Sequence, residues 1–216
     1  MKAYTKPFLA IILILLADQA LKFWIKLNMT LGQEYRIISN WFIIHFTENN
    51  GMAFGMEFGG EAGKLILTLF RIVAVCAIGY GVIYLVKHKY HRGLILNVAL
   101  IFAGAMGNII DSTFYGLIFS ESSYFQPAKL FPPGGGYAGL FHGKVVDMFY
   151  FPLIQGSFPQ WFPVWAGQEF VFFRPVFNIA DAAISVGVIA ILIFQKAYFK
   201  EEKKEESYPH SEIIEE

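Results

Sequence analysis

Residues 94–119 read LILNVALIFAGAMGNIIDSTFYGLIF, an apolar stretch as long as a helix that crosses a bilayer. Such a helix needs about 20 mostly apolar residues, because the hydrocarbon core is about 30 Å thick and a helix rises about 1.5 Å per residue. Three further stretches meet this requirement: Pro7–Ile25, Leu65–Val86 and Asn178–Gln195. Together with Leu94–Phe119 they predict an all-α membrane protein with four transmembrane helices.

The composition agrees with a protein that lies in a bilayer. Hydrophobic residues make up 56% of the chain and charged residues only 16%, whereas a soluble domain carries about 25% charged residues. The formal net charge is zero, so no long-range field attracts nucleic acid. The single cysteine, Cys76, can form neither an internal disulfide nor a multi-cysteine metal site.

The N-terminus imitates a secretory signal, since MKAYTK is basic and PFLAIILILLA is apolar. No small-x-small cleavage site closes the apolar run, which continues through Asp18 and Lys22. We therefore expect this segment to be retained as the first transmembrane helix.

The distribution of Lys and Arg predicts the orientation. With the N-terminus in the cytoplasm, the inner segments 1–6, 87–93 and 196–216 hold nine Lys and Arg in 34 residues. The outer segments 26–64 and 120–177 hold six in 97 residues. Because cytoplasmic loops are enriched in these residues, we expect both termini in the cytoplasm, with residues 196–216 as a solvated, charged tail.

Two long segments face outside in this topology. Residues 28–58 contain β-branched and aromatic runs that are typical of short strands, so we expect a small β-rich unit there. Residues 120–177 are rich in Pro, Gly and aromatic side chains. Such a segment either lies on the membrane interface, where Trp and Tyr are favoured, or covers a site as a lid.

The chain contains four aspartates: Asp18, Asp111, Asp147 and Asp181. Three of them fall inside or at the end of a predicted span, and Asp147 lies in the apolar run VVDMFYF. A carboxylate in a bilayer is costly unless it is paired or protonated, so it is a candidate functional group by default.

The depths of these groups match. Asp111 lies about 25 Å and Asp18 about 17 Å from the inner edge of the hydrocarbon core. Asp181 and Arg71 lie near the outer ends of their spans. We therefore expect these three aspartates and Arg71 to meet in the outer half of the membrane. Asp18 and Lys22, four residues apart, can pair on one helix face.

Two asparagines precede aspartates by three residues, in Asn108–Asp111 and Asn178–Asp181. The first pair would suit a polar contact between helices. Asn178 is of a type that caps helices, which would place Asp181 in the first turn, where the helix dipole favours a carboxylate.

The residue types favour aspartic chemistry. The sequence contains no HExxH and no GxSxG motif, so a zincin or a serine hydrolase is not supported. When two carboxyl groups lie a few ångströms apart, one holds a proton and the other is ionised. The pair can then activate water against a peptide carbonyl without a metal or cofactor. The spacing does not decide which two of the four aspartates form the pair.

Five motifs occur in order along the chain: DQALK at 18–22, TENNGMAFG at 47–55, GNIID at 107–111, VVDMF at 145–149 and FNIAD at 177–181. In these motifs and in its four-helix plan, the chain resembles lipoprotein signal peptidase, the type II signal peptidase of bacterial membranes. The resemblance extends from the first span to the fourth. The tail and much of 113–143 and 153–174 lie outside it.

The resemblance implies a catalytic pair, Asp147 and Asp181, that works without a metal or other cofactor. The other matching positions, expected to bind substrate or support the site, are Asp18, Lys22, Asn49, Gly51, Asn108, Asp111, Asn178 and Ala180. We add Arg71 because of its depth.

The implied substrate is a prolipoprotein whose cysteine carries diacylglycerol and which is cleaved just before that cysteine. The implied location is the bacterial inner membrane, with the active site near its outer face. Expected partners are this substrate and membrane lipid, with no nucleic acid, and a monomer suffices. The outer segments would form a β-rich cradle and an aromatic lid loop.

The chain departs from the family at three places. The family commonly has arginine after GNIID, where this chain has Ser112, so the cation that pairs with Asp111 would be Arg71, Lys144 or Arg174. The two catalytic candidates are separated by 33 residues, 148–180, which is longer than in compact members. Glu48 adds a carboxylate beside Asn49.

Two other functions would use the same residues. A proton-coupled transporter also needs intramembrane carboxylates and an arginine, but Val73–Val86 and Val186–Phe194 carry no ionisable residue except Cys76 and tyrosines. A non-catalytic scaffold explains the Asp18–Lys22 pair, but not the aspartates beside asparagines.

Overall fold

The computed structural model describes residues 2–50, 60–172 and 174–199, except for the side chains of residues 2, 3 and 61. Within these ranges four helices are long and apolar enough to cross a membrane: Tyr4–Asn28, Ala62–Lys87, Arg92–Ile118 and Ile179–Tyr198. The four predicted spans are therefore confirmed as helices of this kind.

The helices extend beyond the predicted boundaries. Helix α1 spans Lys2–Asn28, α2 spans Gly60–Lys87 and α5 spans Ile179–Tyr198. Helix α5 continues through Tyr198, so it includes the first residues of the segment 196–216 that was predicted as a charged tail. Residues 200–216 lie outside the described part of the chain.

The sequence predicted one regular helix for the third span, but the structure shows an interrupted one. Helix α3 (Arg92–Ile110) is followed by a π-helical turn (Asp111–Tyr115) and a short helix α4 (Gly116–Ile118). The segment that leads into the third strand packs against this turn: Gly143 N–H donates to the Ser112 carbonyl at 2.8 Å. A side chain on Gly143 would lie 2.1 Å from the Asp111 carbonyl oxygen. Single π turns of this kind are frequent at functional sites.

In the described part of the chain, six strands lie between the helices: β1 (Glu34–Ile38), β2 (Phe42–Asn49), β3 (Val145–Tyr150), β4 (Ile154–Ser157), β5 (Glu169–Phe172) and β6 (Val176–Phe177). An antiparallel sheet has the order β1-β2-β3-β6, and β4 pairs with β5 in a separate hairpin. The sequence analysis predicted short strands for residues 28–58, where β1 and β2 lie, and predicted none for 120–177. Residues 120–177 supply half of the sheet, since the apolar run around Asp147 is its inner strand β3.

All six strands lie at one end of the helix bundle. Strands β1 and β2 follow α1 and precede α2, whereas β3 to β6 follow the third span and precede α5. The short connection 88–91 between α2 and α3 lies at the other end. The chain thus carries its sheet and hairpin on a single face of the bundle.

A buried cluster fixes the sheet to the helices. It consists of side chains from the end of α1, the end of the third span, the residues that follow these two helices, and strands β2 and β3: Ile25, Met29, Phe46, Tyr115, Phe119, Ala128, Val146 and Met148. Val146 and Met148 flank Asp147, so this cluster sets the position of that carboxyl group.

The bundle has an apolar exterior and a polar interior. Phe70 on α2 and Leu192 on α5 are more than half exposed, while Asp18, Lys22 and Asp111 are fully buried. Polar side chains inside and apolar side chains outside are the arrangement expected of helices in a bilayer.

Candidate active site

Asp147 lies on the inner strand β3 and is only 4% exposed. Strand β2 runs beside it with Thr47 opposite Asp147, so Asn49 is close enough to donate from its amide to Asp147 Oδ2. The amide of Asn178 donates to Asp147 Oδ1 at 2.7 Å. Both carboxyl oxygens therefore accept an amide N–H.

Asp181 lies in the first turn of α5, as predicted. Asn178 caps this helix: its Oδ1 accepts from the Asp181 backbone N–H at 2.9 Å, and Asp181 Oδ2 accepts from the Asn178 backbone N–H at 3.4 Å. The amide of Asn108 on α3 donates to Asp181 Oδ1 at 2.7 Å. The cap, the helix dipole and Asn108 all stabilise a carboxylate here.

Asn178 connects the two aspartates, because its oxygen binds the backbone of Asp181 and its amide binds the carboxyl of Asp147. The pKa of Asp147 is raised from 3.8 to about 8, first because burial disfavours the carboxylate and second because Asp181 is negatively charged. Lys22 and the amides of Asn49 and Asn178 act in the opposite direction. Burial and the charge of Asp181 therefore keep Asp147 protonated near neutral pH.

Lys22 is the central cation of the interior. Its Nζ lies 2.9 Å from Asp18 Oδ2, 2.8 Å from Asp111 Oδ2 and 3.0 Å from Asn108 Oδ1. The predicted pairing of Asp18 with Lys22 is confirmed. Since Asn108 accepts from Lys22 and donates to Asp181, this amide links the buried cation to the carboxylate.

Asp18 and Asp111 hold other elements in place. Asp18 Oδ1 accepts from the backbone N–H of Ala180 in α5 at 2.9 Å. Asp111 Oδ2 accepts from the backbone N–H of Val146 in β3 at 3.3 Å. Each backbone contact is made next to one member of the aspartate pair, so these two carboxylates position Asp181 and Asp147.

Gln19 belongs to the same network, although the sequence analysis did not single it out. Its amide donates to Asp111 Oδ1 at 2.9 Å and to Asp18 Oδ2 at 3.1 Å. Its oxygen accepts from the Tyr115 hydroxyl at 3.1 Å. Its position next to Asp18 is a sequence feature that could have indicated this role. An uncharged residue in a span is not by itself a candidate functional group, so Gln19 was not predicted.

The cation that pairs with Asp111 is Lys22, and none of the three candidates named from the sequence takes that place. Lys144 Nζ lies 3.4 Å from Glu121 Oε1, and Arg174 is exposed. Arg71 interacts electrostatically with Asp181. Lys22 reaches Asp111 because α1 packs against α3, a contact that sequence spacing does not reveal.

A second buried ion pair was also missed. Lys26, one helical turn beyond Lys22, is fully buried, and its Nζ contacts Glu48 and lies 3.0 Å from Ser122 Oγ. The Ser122 hydroxyl donates to Glu48 Oε1 at 2.7 Å. Glu48 is thus neutralised by Lys26, and strand β2, which carries Asn49, is tied to α1.

The structure brings the predicted site residues into one connected network, with one exception: Gly51 lies outside the described residues. In the described ranges, no group of three or more His, Cys, Asp and Glu side chains is arranged to hold a metal ion. The chemistry that this arrangement offers is that of paired carboxyl groups held by amides.

Comparison with known proteins identifies the class. The model of the family described as signal peptidase (SPase) II matches residues 10–197. The chain therefore belongs to the signal peptidase II family, a family of membrane peptidases.

Individual proteins similar to this chain agree with the family match. A lipoprotein signal peptidase of Porphyromonas gingivalis is 55% identical over 184 residues, covering 85% of this chain and 79% of the relative. A lipoprotein signal peptidase of Amoebophilus asiaticus is 37% identical over 199 residues, covering 91% and 78%. A solved structure described as a bacterial membrane enzyme matches the fold with a TM-score of 0.57 and 22% identity, covering 93% of this chain and 94% of that one.

Proposed function

We propose that the chain is an intramembrane aspartic endopeptidase that removes the signal peptide from diacylglyceryl-modified prolipoproteins by cleaving just before the lipidated cysteine. The family acts on prolipoproteins. The observation that carries the aspartic mechanism is the pair Asp147 and Asp181, which come from different elements and are connected by the single residue Asn178.

In this mechanism Asp181 is the base and Asp147 the acid. Asp181 takes a proton from a water whose oxygen attacks the scissile carbonyl carbon, while Asp147 gives its proton to the carbonyl oxygen. The tetrahedral intermediate then collapses. Asp181 gives its proton to the leaving amine, and Asp147 regains a proton from the hydroxyl that becomes the new carboxyl group. Each aspartate ends in its starting state.

The surrounding residues support these protonation states. The raised pKa of Asp147, about 8, keeps that carboxyl protonated at neutral pH. The helix cap and the Asn108 amide favour the carboxylate of Asp181. Lys22 and Arg71 supply the positive charge that a group of buried carboxylates requires.

The proposed location is supported by the fold and the charge distribution. The chain lies in the bacterial inner membrane with both termini in the cytoplasm, so the sheet and the aspartate pair are near the outer face. The sheet β1-β2-β3-β6 would cradle the substrate next to Asp147. One chain contains both aspartates, so a monomer suffices, with membrane lipid around it.

A relay that carries protons across the membrane has less support. The family match favours a peptidase. The charged interior groups also bind one another near the sheet, as in the contacts of Lys22 with Asp18 and Asp111. Proton flux that depends on Asp111 in liposomes, without peptidase activity, would restore that alternative.

The decisive experiment is a cleavage assay with purified protein in detergent. A synthetic prolipoprotein, with and without the diacylglyceryl group, is offered to wild type, Asp147→Asn and Asp181→Asn. We expect wild type to cut only the lipidated form, before the cysteine, and each variant to lose at least about 10³-fold in kcat.

Glu169→Gln is the matched control, since Glu169 is an exposed carboxylate on β5. It should cleave like wild type. Thermal unfolding of all four proteins checks folding. Near-normal turnover by a folded Asp147→Asn or Asp181→Asn protein would refute the aspartate pair, and equal cleavage of the unlipidated substrate would refute the substrate class.

A further inference from the structure

Residues 153–172 form an ordered element, which we call the aromatic hairpin. Strands β4 and β5 pair from Ile154 opposite Phe172 to Ser157 opposite Glu169. The connection is closed by backbone hydrogen bonds, from Phe158 N–H to the Gln168 carbonyl at 2.9 Å and from Gly167 N–H to the Phe158 carbonyl at 3.0 Å. The segment predicted as a loop is therefore a defined hairpin.

The tip of the hairpin is a packed aromatic cluster. The ring of Phe158 lies 5.2 Å from Phe162, 5.5 Å from Trp165 and 4.9 Å from Phe170. Phe162 also stacks on Trp165 at 5.9 Å. The rings support one another, so the tip presents a fixed apolar shape.

The outer surface of the hairpin is mostly apolar, and Glu169 is its one charged side chain. Six of its large apolar side chains are exposed, Trp161 by 78%: Leu153, Ile154, Trp161, Val164, Trp165 and Phe172. No Asp, Glu, Lys or Arg occurs between residues 152 and 168. In the described part of the chain, β4 and β5 pair with no other strand. An apolar surface of this kind is unfavourable in water and marks an interaction site.

We propose that the aromatic hairpin is a membrane anchor whose tip lies in the boundary between headgroups and acyl chains, on the face of the bundle that carries the sheet. The hairpin leaves the sheet after β3 and returns through β6, directly before the spanning helix α5. It is therefore attached where a span meets the membrane surface. Trp side chains are favoured in that layer.

Aromatic contacts continue from the base of the hairpin onto the sheet. Phe151 stacks on Phe42 at 4.8 Å and lies 6.1 Å from Trp41 and 5.7 Å from Phe177. These rings connect the base of the hairpin to the sheet at the same end of the bundle. Together they form a band of aromatic side chains at one interface.

The observations favour the bilayer over a lid on the active site. Among the described residues, the tip rings pack on each other, while Asp147 and Asp181 are surrounded by Asn49, Asn108 and Asn178. Because the hairpin carries no Lys or Arg and only the carboxylate of Glu169, its insertion depends on apolar burial and Trp, and not on anionic lipid.

Tryptophan quenching in vesicles tests the anchor. The full chain with Trp24→Phe and Trp41→Phe keeps only Trp161 and Trp165, and it is reconstituted in phosphatidylcholine brominated at shallow or deep acyl positions. We expect strong quenching by the shallow bromines, weaker quenching by the deep ones, and little quenching by aqueous iodide. Added anionic phosphatidylglycerol or 0.5 M salt, on the order of what screens surface charge, should leave this pattern unchanged.

The reference protein carries Gly134→Trp as its only tryptophan, because Gly134 is exposed and a side chain there meets no atom within 4 Å. It should be quenched by iodide and not by brominated lipid. Hairpin tryptophans that behave like this reference would overturn the proposal. Protection from both quenchers would also overturn it, since the hairpin would then pack on protein, as a lid or against a second copy. The Asp147→Asn variant should give the same pattern, which separates this inference from the catalytic one.

Discussion

At the scale of single residues, the side chain of Asn178 makes several of the contacts that position the site. It caps α5, binds the backbone of Asp181 and donates to both Asp147 and the Val146 carbonyl. One side chain thereby sets the helix start, the strand and the aspartate pair. Such amides hold carboxyl groups in place without adding charge, and they partly oppose the rise in the pKa of Asp147 that burial and Asp181 cause.

The pKa of Asp147 predicts how activity depends on pH. Asp147 must be protonated to act as the acid, and its pKa is about 8. We therefore expect kcat/KM to fall above about pH 8, by about tenfold for each further pH unit, because one proton is lost. Asn49 donates to the carboxylate form, so Asn49→Ala should lower the rate but move this alkaline limb to higher pH.

The same shift has a consequence for stability. A carboxyl group with a pKa raised from 3.8 to about 8 binds more protons in the folded state than in the unfolded state. The free energy of unfolding should therefore decrease as pH rises from about 4 to about 8, and Asp147→Asn should remove this decrease.

Two results would contradict the role of Asp147 as the acid. One is an alkaline limb of kcat/KM that moves to lower pH in Asn49→Ala. The other is a kcat/KM that is still constant at pH 10, roughly two units above the pKa.

At the scale of elements, the close approach of α3 and α5 positions Asp181, the proposed base. Gly104 of α3 faces the first turn of α5, and a side chain there would lie 2.2 Å from the Ala180 carbonyl oxygen. Small residues allow such approach between membrane helices. Ala180 directly precedes Asp181, so the distance between the two helices determines where the carboxylate lies.

Gly104→Ala should therefore impair both folding and catalysis. The added methyl group forces α3 and α5 apart, and overpacking of this kind costs about 1–3 kcal/mol. A displacement of Asp181 by about 1 Å would lower kcat by about 10²-fold. Thermal unfolding and turnover in detergent measure the two effects.

Gly81→Ala is the matched control, because Gly81 lies in spanning helix α2 and a side chain there meets nothing within 4 Å. It should leave both stability and turnover close to wild type. If Gly104→Ala behaved in the same way, the contact between α3 and α5 would not position the base.

At the scale of the whole molecule, four crossings put both ends of the described chain opposite the sheet. Strands, hairpin and aspartate pair then share one side of the membrane, while the connection 88–91 lies on the other. From the excess of Lys and Arg in the inner segments we propose that the sheet side is the outer one.

Cysteine labelling tests this orientation. In a Cys76→Ser background, Gly134→Cys reports on the sheet side and His88→Cys on the short connection. A maleimide that cannot cross membranes should label Gly134→Cys in intact spheroplasts and His88→Cys only after permeabilisation. The reverse pattern would invert the topology, and labelling of both in intact cells would exclude four crossings. Cys76→Ser alone is the unlabelled control.

The sequence alone determined what depends on local spacing. Run length was enough for the four spans, the interval of four residues was enough for the pairing of Asp18 with Lys22, and residue type was enough for the cap at Asn178. The resemblance named Asp147 and Asp181 as a pair. Run length could not reveal the π turn after Ile110, because that break is made by contacts with a distant segment.

Only the tertiary structure decided which distant groups meet. The pairing of Lys22 with Asp111, and of Lys26 with Glu48 and Ser122, depends on how α1 packs against the third span and the sheet. The aromatic hairpin, likewise, arises from strands joined across an eleven-residue connection, 158–168. Such contacts join groups far apart in the chain, and their free energy comes from the burial that docking creates, which no local pattern encodes.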